Sequence, residues 1–559
     1  MLNFKRLTLL SLLAFTTISI SACGKTEENT TSNTTENPPD IQYTNTTYKN
    51  SIQFDIGKGE KGFGPCADPF CLKADDGYYY LYSTNETVFR GDDSGYRFDY
   101  GPIWRSIDLV NWTYVGSVFD GQEDVLKWGQ QYAGVVPGVW APNVVKIADQ
   151  YNYYYTLSAG SSYNPGIGVA TAPTPYGPWT HYGKVFDSEK IGVYNSSDQD
   201  VFVDDDGSIY MYYSIYDTGI MQYIIGVEML DPVTADWDTY KILIRPGELT
   251  PKTTNSNMLI WEAYSGFKVA EGPYMLKSPN GLYYLTYSVN HYDDRYYTVC
   301  YAYSDEPLGD YTKPYDKDGN WTNLLFGYAG GMAHTTVFDQ WDGFMSGTGH
   351  HCFFKSGDQW MIGYHAHKDR HGKVDANDGF AGRMFAMDYL YFDENGVPYT
   401  EGPTYSVQPL PSKISGYSNI ALGATVKSTN VDNPERINDN FIVEHYNLPQ
   451  EQNKEVTLKP GRSYIEIDFG KDFHIGGISI YNSAFYDYYL SEIEFINFFN
   501  GNAILDASFP TSYVNNEYEF VFPTSAFVFD FQDIIASRVV IGFNTNTEAR
   551  LNEIKVFGY

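Results

Sequence analysis

Three acidic residues in this 559-residue chain stand at nearly the same distance ahead of a recurring turn. Asp68 lies eight residues before Asp76, Asp198 eight before Asp206, and Glu271 nine before Asn280. Two further polar residues keep the count, His350 eight before Asp358 and Asn143 eight before Tyr151. A lone aspartate in such a place reads most simply as a strand-end cap or a loop hydrogen bond. Three carboxylates brought together are different, because like charges repel and at least one group must carry a raised pKa. Two carboxyl groups at different pKa values are the minimum for splitting a glycosidic bond. One, protonated, helps the leaving oxygen depart; the other, ionised, activates water or attacks directly. A third can keep the acid protonated and oriented. Competing machinery is weaker: Ser161 sits in no nucleophile elbow, there is no phosphate loop, and His350-His351 is not a helical zinc motif.

The elements that must position these residues repeat. The stretch "CADPFCLKADDGYYYLYS" (66–83) is a short apolar strand, a turn and an aromatic strand. It recurs as "APNVVKIADQYNYYYTLS" (141–158), "SDQDVFVDDDGSIYMYYS" (197–214), "EGPYMLKSPNGLYYLTYS" (271–288) and "GHHCFFKSGDQWMIGYH" (349–365). Asp-Gly and Asn-Gly at the turn favour a tight hairpin, since both residues tolerate positive φ. A second hairpin-like segment follows most copies, as in "GPIWRSIDLVNW" (101–112) and "GIGVATAPTPYGPW" (166–179), so each unit supplies about four strands. Five such units without helical periodicity between them predict a five-bladed β-propeller. There the first strand of each blade lines the central channel, and Asp68, Asn143, Asp198, Glu271 and His350 converge on the axis.

The strings "ADP" (67–69), "WAP" (140–142), "DQDVFVDDDG" (198–207), "EGPYMLKSPNGLYYLTYS" (271–288) and "GTGHH" (347–351) occur in the order typical of glycoside hydrolase family 43, which residues 50–412 resemble. The resemblance implies a five-bladed propeller that cleaves arabinose and xylose linkages with inversion. It implies Asp68 as general base, Glu271 as general acid, and Asp198, four residues before Phe202, as the group that tunes the acid. The usual proline after that aspartate is Gln199 here, which leaves Asp200 as a rival. His350 resembles an axial histidine that in many members holds calcium through a water shell; the competing reading is a histidine bonded only to carboxylates and water. Trp140 and Arg383 resemble residues bordering the sugar pocket, with blade packing and a surface ion pair as their competing readings, and Asn143 is taken with them as substrate-binding. The "NDPNG", "RDP" and "ECP" strings of retaining enzymes on a similar propeller are missing, which favours direct displacement by water.

The rest of the chain bounds the setting. Residues 1–23 carry Lys5 and Arg6, an apolar run and small residues before Cys23, the pattern of a bacterial lipoprotein signal with Cys23 as the lipidated residue. Residues 24–48 read as a disordered tether, and membrane contact is expected only through the lipid anchor, at the bacterial cell envelope or surface. A formal net charge of -32 repels nucleic acid and anionic lipid. Cys66, Cys71, Cys300 and Cys352 lie in apolar strand runs and read as buried thiols more than as disulfides. The catalytic domain is assigned to 49–412 and a β-sandwich to 418–559, where "NIALGATVKSTN" and "NEIKVFGY" resemble a discoidin-type jelly roll. That domain binds sugar or merely packs on the propeller. The function expected is hydrolysis of α-L-arabinofuranosyl linkages in plant arabinan or arabinoxylan. The alternatives are β-xylosidase or endo-arabinanase action, or a propeller that binds glycans without cleaving them.

Overall fold

The tyrosine-rich runs form antiparallel strands, as aromatic side chains suit a pleated, half-buried surface. The computed structural model describes residues 47–57, 60–62, 66–89, 96–119, 121, 138–158, 166–193, 195–216, 221–247, 262, 268–292, 297–314, 323–327, 346–367, 383–400, 403–404, 407–442, 454–483, 485–505 and 526–559. Within them the protein is all-β, with helix confined to short turns such as Ser188–Ile191 and Ser412–Ser415. Cys23, expected to be lipidated, and the expected signal and tether up to residue 46 lie outside the described residues.

Among the described residues of 70–400, the strands form five successive groups of four antiparallel strands. Their first strands are β1 (Phe70–Lys73), β2 (Gly138–Ile147), β3 (Asn195–Val203), β4 (Lys268–Lys277) and β5 (Ser346–Ser356). Each pairs with an aromatic second strand, and the third and fourth follow outward; in the first group Glu86–Phe89 adds a pairing to the third strand. β1 lies against β2, β2 against β3, and so on to β5, which returns to β1. The first strands therefore close a ring. Gly77, Gly207 and Gly281 end their hairpin turns at φ of 87°, 88° and 88°, while the Asp or Asn before each stays out of the left-handed region. These turns are three-residue loops with one left-handed glycine rather than the two-residue form.

A bulge interrupts or directly precedes every first strand. Ala141-Pro142 together face Tyr155, Asp198-Gln199 face Tyr213, Gly272-Pro273 face Tyr287, and His350-His351 face Tyr364. In the first group the Thr84 N–H reaches Ala67 O at 3.0 Å and Phe70 pairs with Tyr82, so Asp68-Pro69 face Ser83. The leading residue of each bulge is left-handed: φ is 53° at Asp68, 47° at Ala141, 57° at Asp198, 53° at Gly272 and 46° at His350. Four of these carry a Cβ, and such a conformation costs roughly 1–3 kcal/mol per residue. In return a bulge re-aims side chains and bends the strand.

This register corrects the residue count. Equivalent positions are Asp68, Ala141, Asp198, Gly272 and His350; Glu271 stands one residue earlier, level with Trp140, and Asn143 two residues later, level with Asp200. Matching one tyrosine run to another slid the second copy by two. A slip of two leaves the alternation of faces intact, so the pattern alone cannot reveal it. Composition likewise places Thr47–Tyr48 in the tether, whereas they pair with Gln408–Pro409 and Tyr48 is buried. Cys66, Cys71, Cys300 and Cys352 are free and buried, as expected of strand thiols, and the Cys71 N–H donates to Cys352 Sγ at 3.2 Å.

Residues 418–559 form a nine-stranded antiparallel sheet dominated by β6 (Gly461–Asn482) and β7 (Ala526–Thr545), over an aliphatic core that includes Ile465, Ile478, Val539 and Ile541. It meets the preceding part through Asn440 Nδ2 to the Tyr391 hydroxyl at 3.0 Å and Lys555 Nζ to Gln408 Oε1 at 3.3 Å.

Candidate active site

Asp68 leads the first bulge, and a hydroxyl and a guanidinium donate to its carboxylate, with two imidazoles close by. Thr84 Oγ1 donates to Oδ2 at 2.5 Å and Arg383 Nη1 to Oδ1 at 2.8 Å, while His350 Nδ1 stands 3.3 Å and His365 Nδ1 3.4 Å from Oδ1. Burial opposes ionisation, but the Arg383 guanidinium, then His350, hold the carboxyl well below the usual range. Arg383 is itself positioned at the start of its strand by its carbonyl, which accepts the Cys66 N–H at 2.9 Å, and its guanidinium lies over the Tyr292 ring at 4.9 Å.

Glu271 and Asp198 are driven the other way. Glu271 Oε1 accepts the Tyr297 hydroxyl at 2.8 Å; burial nonetheless pushes its carboxyl up to about 7, against that bond and with the charge of Asp68 adding to the rise. Asp198 is raised to about 7 by burial, relieved by His350 and reinforced by Glu271 and Asp68. Its Oδ2 accepts the Gly272 N–H at 3.4 Å. One ionised carboxylate and two carboxyl groups that hold protons near neutrality thus share one end of the ring, which is the division of labour acid–base cleavage requires.

The other residues singled out by sequence fall in different places. Trp140 is half-buried, its indole folded over Gly138, one residue before the second bulge as Glu271 is before the fourth. Asn143 is buried and commits its amide to Asp200 Oδ1 at 2.7 Å and to the Val201 N–H at 3.3 Å. Asp200, the rival of Asp198, is the other half of that tie: Oδ2 accepts the Met275 N–H at 2.8 Å, joining β2, β3 and β4 beneath the site, and burial pushes its carboxyl up to about 7. Among the described residues no group of three or more His, Cys, Asp or Glu side chains is disposed to hold a metal, and His350 Nδ1 faces Asp68 Oδ1 instead. Of residues 249–268, only Glu262 and Lys268 are described.

Thr84, Tyr297 and His365 touch the carboxyl groups, and no sequence signal singled them out. Thr84 follows the residue facing the Asp68 bulge, and His365 follows Tyr364 in the same way, so a correct bulge register would have found both. Tyr297 is one of 52 tyrosines, most of them strand formers, and nothing in its neighbourhood marks it.

A family model described as glycosyl hydrolases family 43 matches residues 63–398. An arabinoxylan arabinofuranohydrolase of Paenibacillus polymyxa is 26% identical over 352 residues, covering 59% of this chain and 49% of that protein. An extracellular endo-alpha-(1->5)-L-arabinanase of Thermotoga petrophila is 29% identical over 245 residues, 39% of this chain and 47% of that protein. A solved thermostable family-43 glycoside hydrolase is 26% identical with a TM-score of 0.47, covering 65% of this chain and 99% of that one. The chain spans about half the length of the curated relatives it matches.

Proposed function

The chain belongs to the glycosyl hydrolases of family 43, and we propose that it is an extracellular inverting glycosidase that removes α-L-arabinofuranosyl units from plant arabinan or arabinoxylan. The observation that carries this reading is the opposed pair of shifts: Asp68 held far below the usual carboxylate range, Glu271 raised to about 7. In this reading Asp68 takes the proton of the attacking water. Glu271 protonates the departing oxygen, and Asp198 beside it favours the protonated form. Arg383 keeps Asp68 ionised and aimed, and Trp140 offers an indole face to the sugar. Arabinose enters from the two relatives above, an arabinoxylan arabinofuranohydrolase and an arabinanase. The five strand groups are read as the blades of a propeller and residues 418–559 as a jelly-roll sandwich. Calcium near His350, lipidation at Cys23 and an envelope location belong to the same proposal.

The test is to incubate the protein with 4-nitrophenyl α-L-arabinofuranoside, 4-nitrophenyl β-D-xyloside and linear arabinan. Release from the arabinofuranoside is expected. Cleavage of xyloside alone replaces arabinose with xylose, internal cuts in arabinan make it an endo-arabinanase, and no release from any substrate leaves a glycan-binding protein. Proton NMR of the first-formed sugar should show the inverted anomer; a retained one removes Asp68 from the role of base.

A further inference from the structure

The N–H of a left-handed bulge residue points out of its own ladder and needs an acceptor. Thr84 Oγ1 takes that of Ala141 at 2.9 Å, Thr156 Oγ1 that of Asp198 at 2.9 Å, and Ser288 Oγ that of His350 at 2.8 Å. Each acceptor lies on the second strand of the preceding group, directly after the residue that faces the bulge. Ser214 holds that place in the third group, although the Gly272 N–H goes to Asp198 instead. In the fifth group the place belongs to His365, whose Nδ1 is 3.3 Å from the Asp68 N. Four hydroxyl residues and one imidazole therefore fill equivalent positions.

A hydroxyl accepts an N–H as well as an imidazole does, so the ring answers a further need. One nitrogen cannot accept from the Asp68 N–H and donate to its Oδ1 at once, and the pattern of the other groups assigns Nδ1 the acceptor role. The hydrogen then sits on Nε2, which is buried with no partner among the described residues. An unpartnered buried donor costs roughly 1–3 kcal/mol that a serine would not incur. What the imidazole adds is a flat face. Tyr297 lies on it with ring centroids 5.5 Å apart and planes within 7°, and the same tyrosine, itself fully buried, donates to Glu271. β5 is cut back to admit that ring, for a Cβ at Gly349 would come within 2.4 Å of Tyr297 Cε1.

We propose that His365 and Tyr297 are a positioning pair coupling the two carboxyl groups: His365 braces Asp68 through its backbone and backs Tyr297, and Tyr297 orients Glu271. This rests on reading Asp68 as base and Glu271 as acid. The oxygen of a protonated carboxyl that accepts a hydrogen bond is its carbonyl oxygen, so Tyr297 at Oε1 directs the acidic proton to Oε2. Gln222 also bonds Glu271, and Asp68, Arg383 and Asp198 act on it by charge. Of these, Tyr297 alone rests on the ring that braces the base.

The test compares an arabino-oligosaccharide, whose departing oxygen needs full protonation, with 4-nitrophenyl α-L-arabinofuranoside, which needs little. Tyr297→Phe keeps the stacked ring and removes the hydroxyl. Its kcat on the oligosaccharide is expected to fall roughly 10- to 100-fold, with the aryl glycoside changed about twofold or less and KM held on both. His365→Ser keeps an acceptor for Asp68 and removes the backing, and should acquire the same selectivity; His365→Phe, which keeps a ring face, should not. Equal losses on both substrates, or none, in Tyr297→Phe overturn the pair. Glu271→Gln is the control: if it shows the leaving-group selectivity and the tyrosine and histidine variants do not, this inference alone fails. If Glu271→Gln lacks that selectivity, or the unaltered protein cleaves neither substrate, the functional reading fails and takes this one with it.

Discussion

The ring of first strands and the C-terminal sheet use the same secondary structure to opposite ends. The C-terminal sheet buries Ile465, Ile467, Ile480, Val539 and Ile541, and its left-handed residues, Asn430, Asn433 and Asn440, sit at bends, where asparagine tolerates that conformation. The ring puts Asp68, Ala141, Asp198 and His350 in the same conformation within or at the start of first strands. Around them it packs carboxyl groups, imidazoles and a guanidinium into one place. The left-handed backbone and the raised carboxyl groups work against stability, only the Asp68–Arg383 pair acting the other way, and apolar packing in the outer strands has to offset them. The difference separates residues that hold the fold from residues held by it. Substitutions at the ring should therefore uncouple activity from stability, and those in the sheet should not.

The strongest way to break that comparison is Glu271→Gln. Its kcat on arabino-oligosaccharide should fall roughly 10²- to 10⁴-fold while the melting temperature holds or rises, because a neutral amide replaces a buried carboxyl under pressure to stay protonated. Activity and melting temperature falling together would put Glu271 among the residues that hold the fold.

Next comes pH. Glu271, Asp198 and Asp200 are each raised to about 7, so the folded chain keeps protons that the unfolded chain releases at about pH 4. Stability of the ring must then fall as pH rises from about 4 to about 7. Asp68 has the opposite sign, its contribution being lost only as pH falls through its depressed folded pKa, below that window. Hydrogen exchange followed region by region should show the ring opening more readily at about pH 8 than at about pH 5, with β6 and β7 changing less. The basic limb of kcat/KM should descend through about 7, since Glu271 must be protonated to act as the acid.

Smaller effects sharpen the contrast. At about pH 8, where the Asp200 carboxylate offers only acceptors, Asp200→Asn turns an amide donor toward the Asn143 amide or the Met275 N–H; an unmade buried bond costs roughly 1–3 kcal/mol, to be read as a lower urea midpoint. Gly349→Ala drives a Cβ into Tyr297, which is fully buried and cannot yield, and should cost about 1–2 kcal/mol together with part of kcat. Gly476→Ala in the C-terminal sheet meets Tyr417 at 2.7 Å, but that ring is half-exposed and can swing outward. About 0.5 kcal/mol or less is expected there, and no change in kcat.

Much of the site is legible in the chain. "ADP", "SDQD" and "EGP" each mark a bulge as well as a carboxylate, and counting eight residues to the turn finds Asp68, Asp198 and His350 in common register. The same count applied to the fourth copy lands on Gly272, so Glu271 comes from motif rather than from register. Asn143 is misplaced because tyrosines in adjacent copies can be matched two residues out of step at no cost to the pattern. Thr84 and His365 become visible only once the bulges are known, and Tyr297 not at all.

Sequence by itself determines what is local: which runs pair as strands, where an Asp-Gly or Asn-Gly reverses the chain, and that five similar units follow one another. Those depend on neighbouring φ and ψ preferences and on an alternation of period two. Tertiary structure alone decides which proton stays on which carboxyl. Asp68 is ionised by an arginine 315 residues away and Glu271 is held by a tyrosine that rests on a histidine of another strand group. Burial and charge act through space, so a pKa depends on who is adjacent after folding, and adjacency of that kind leaves no trace in spacing along the chain.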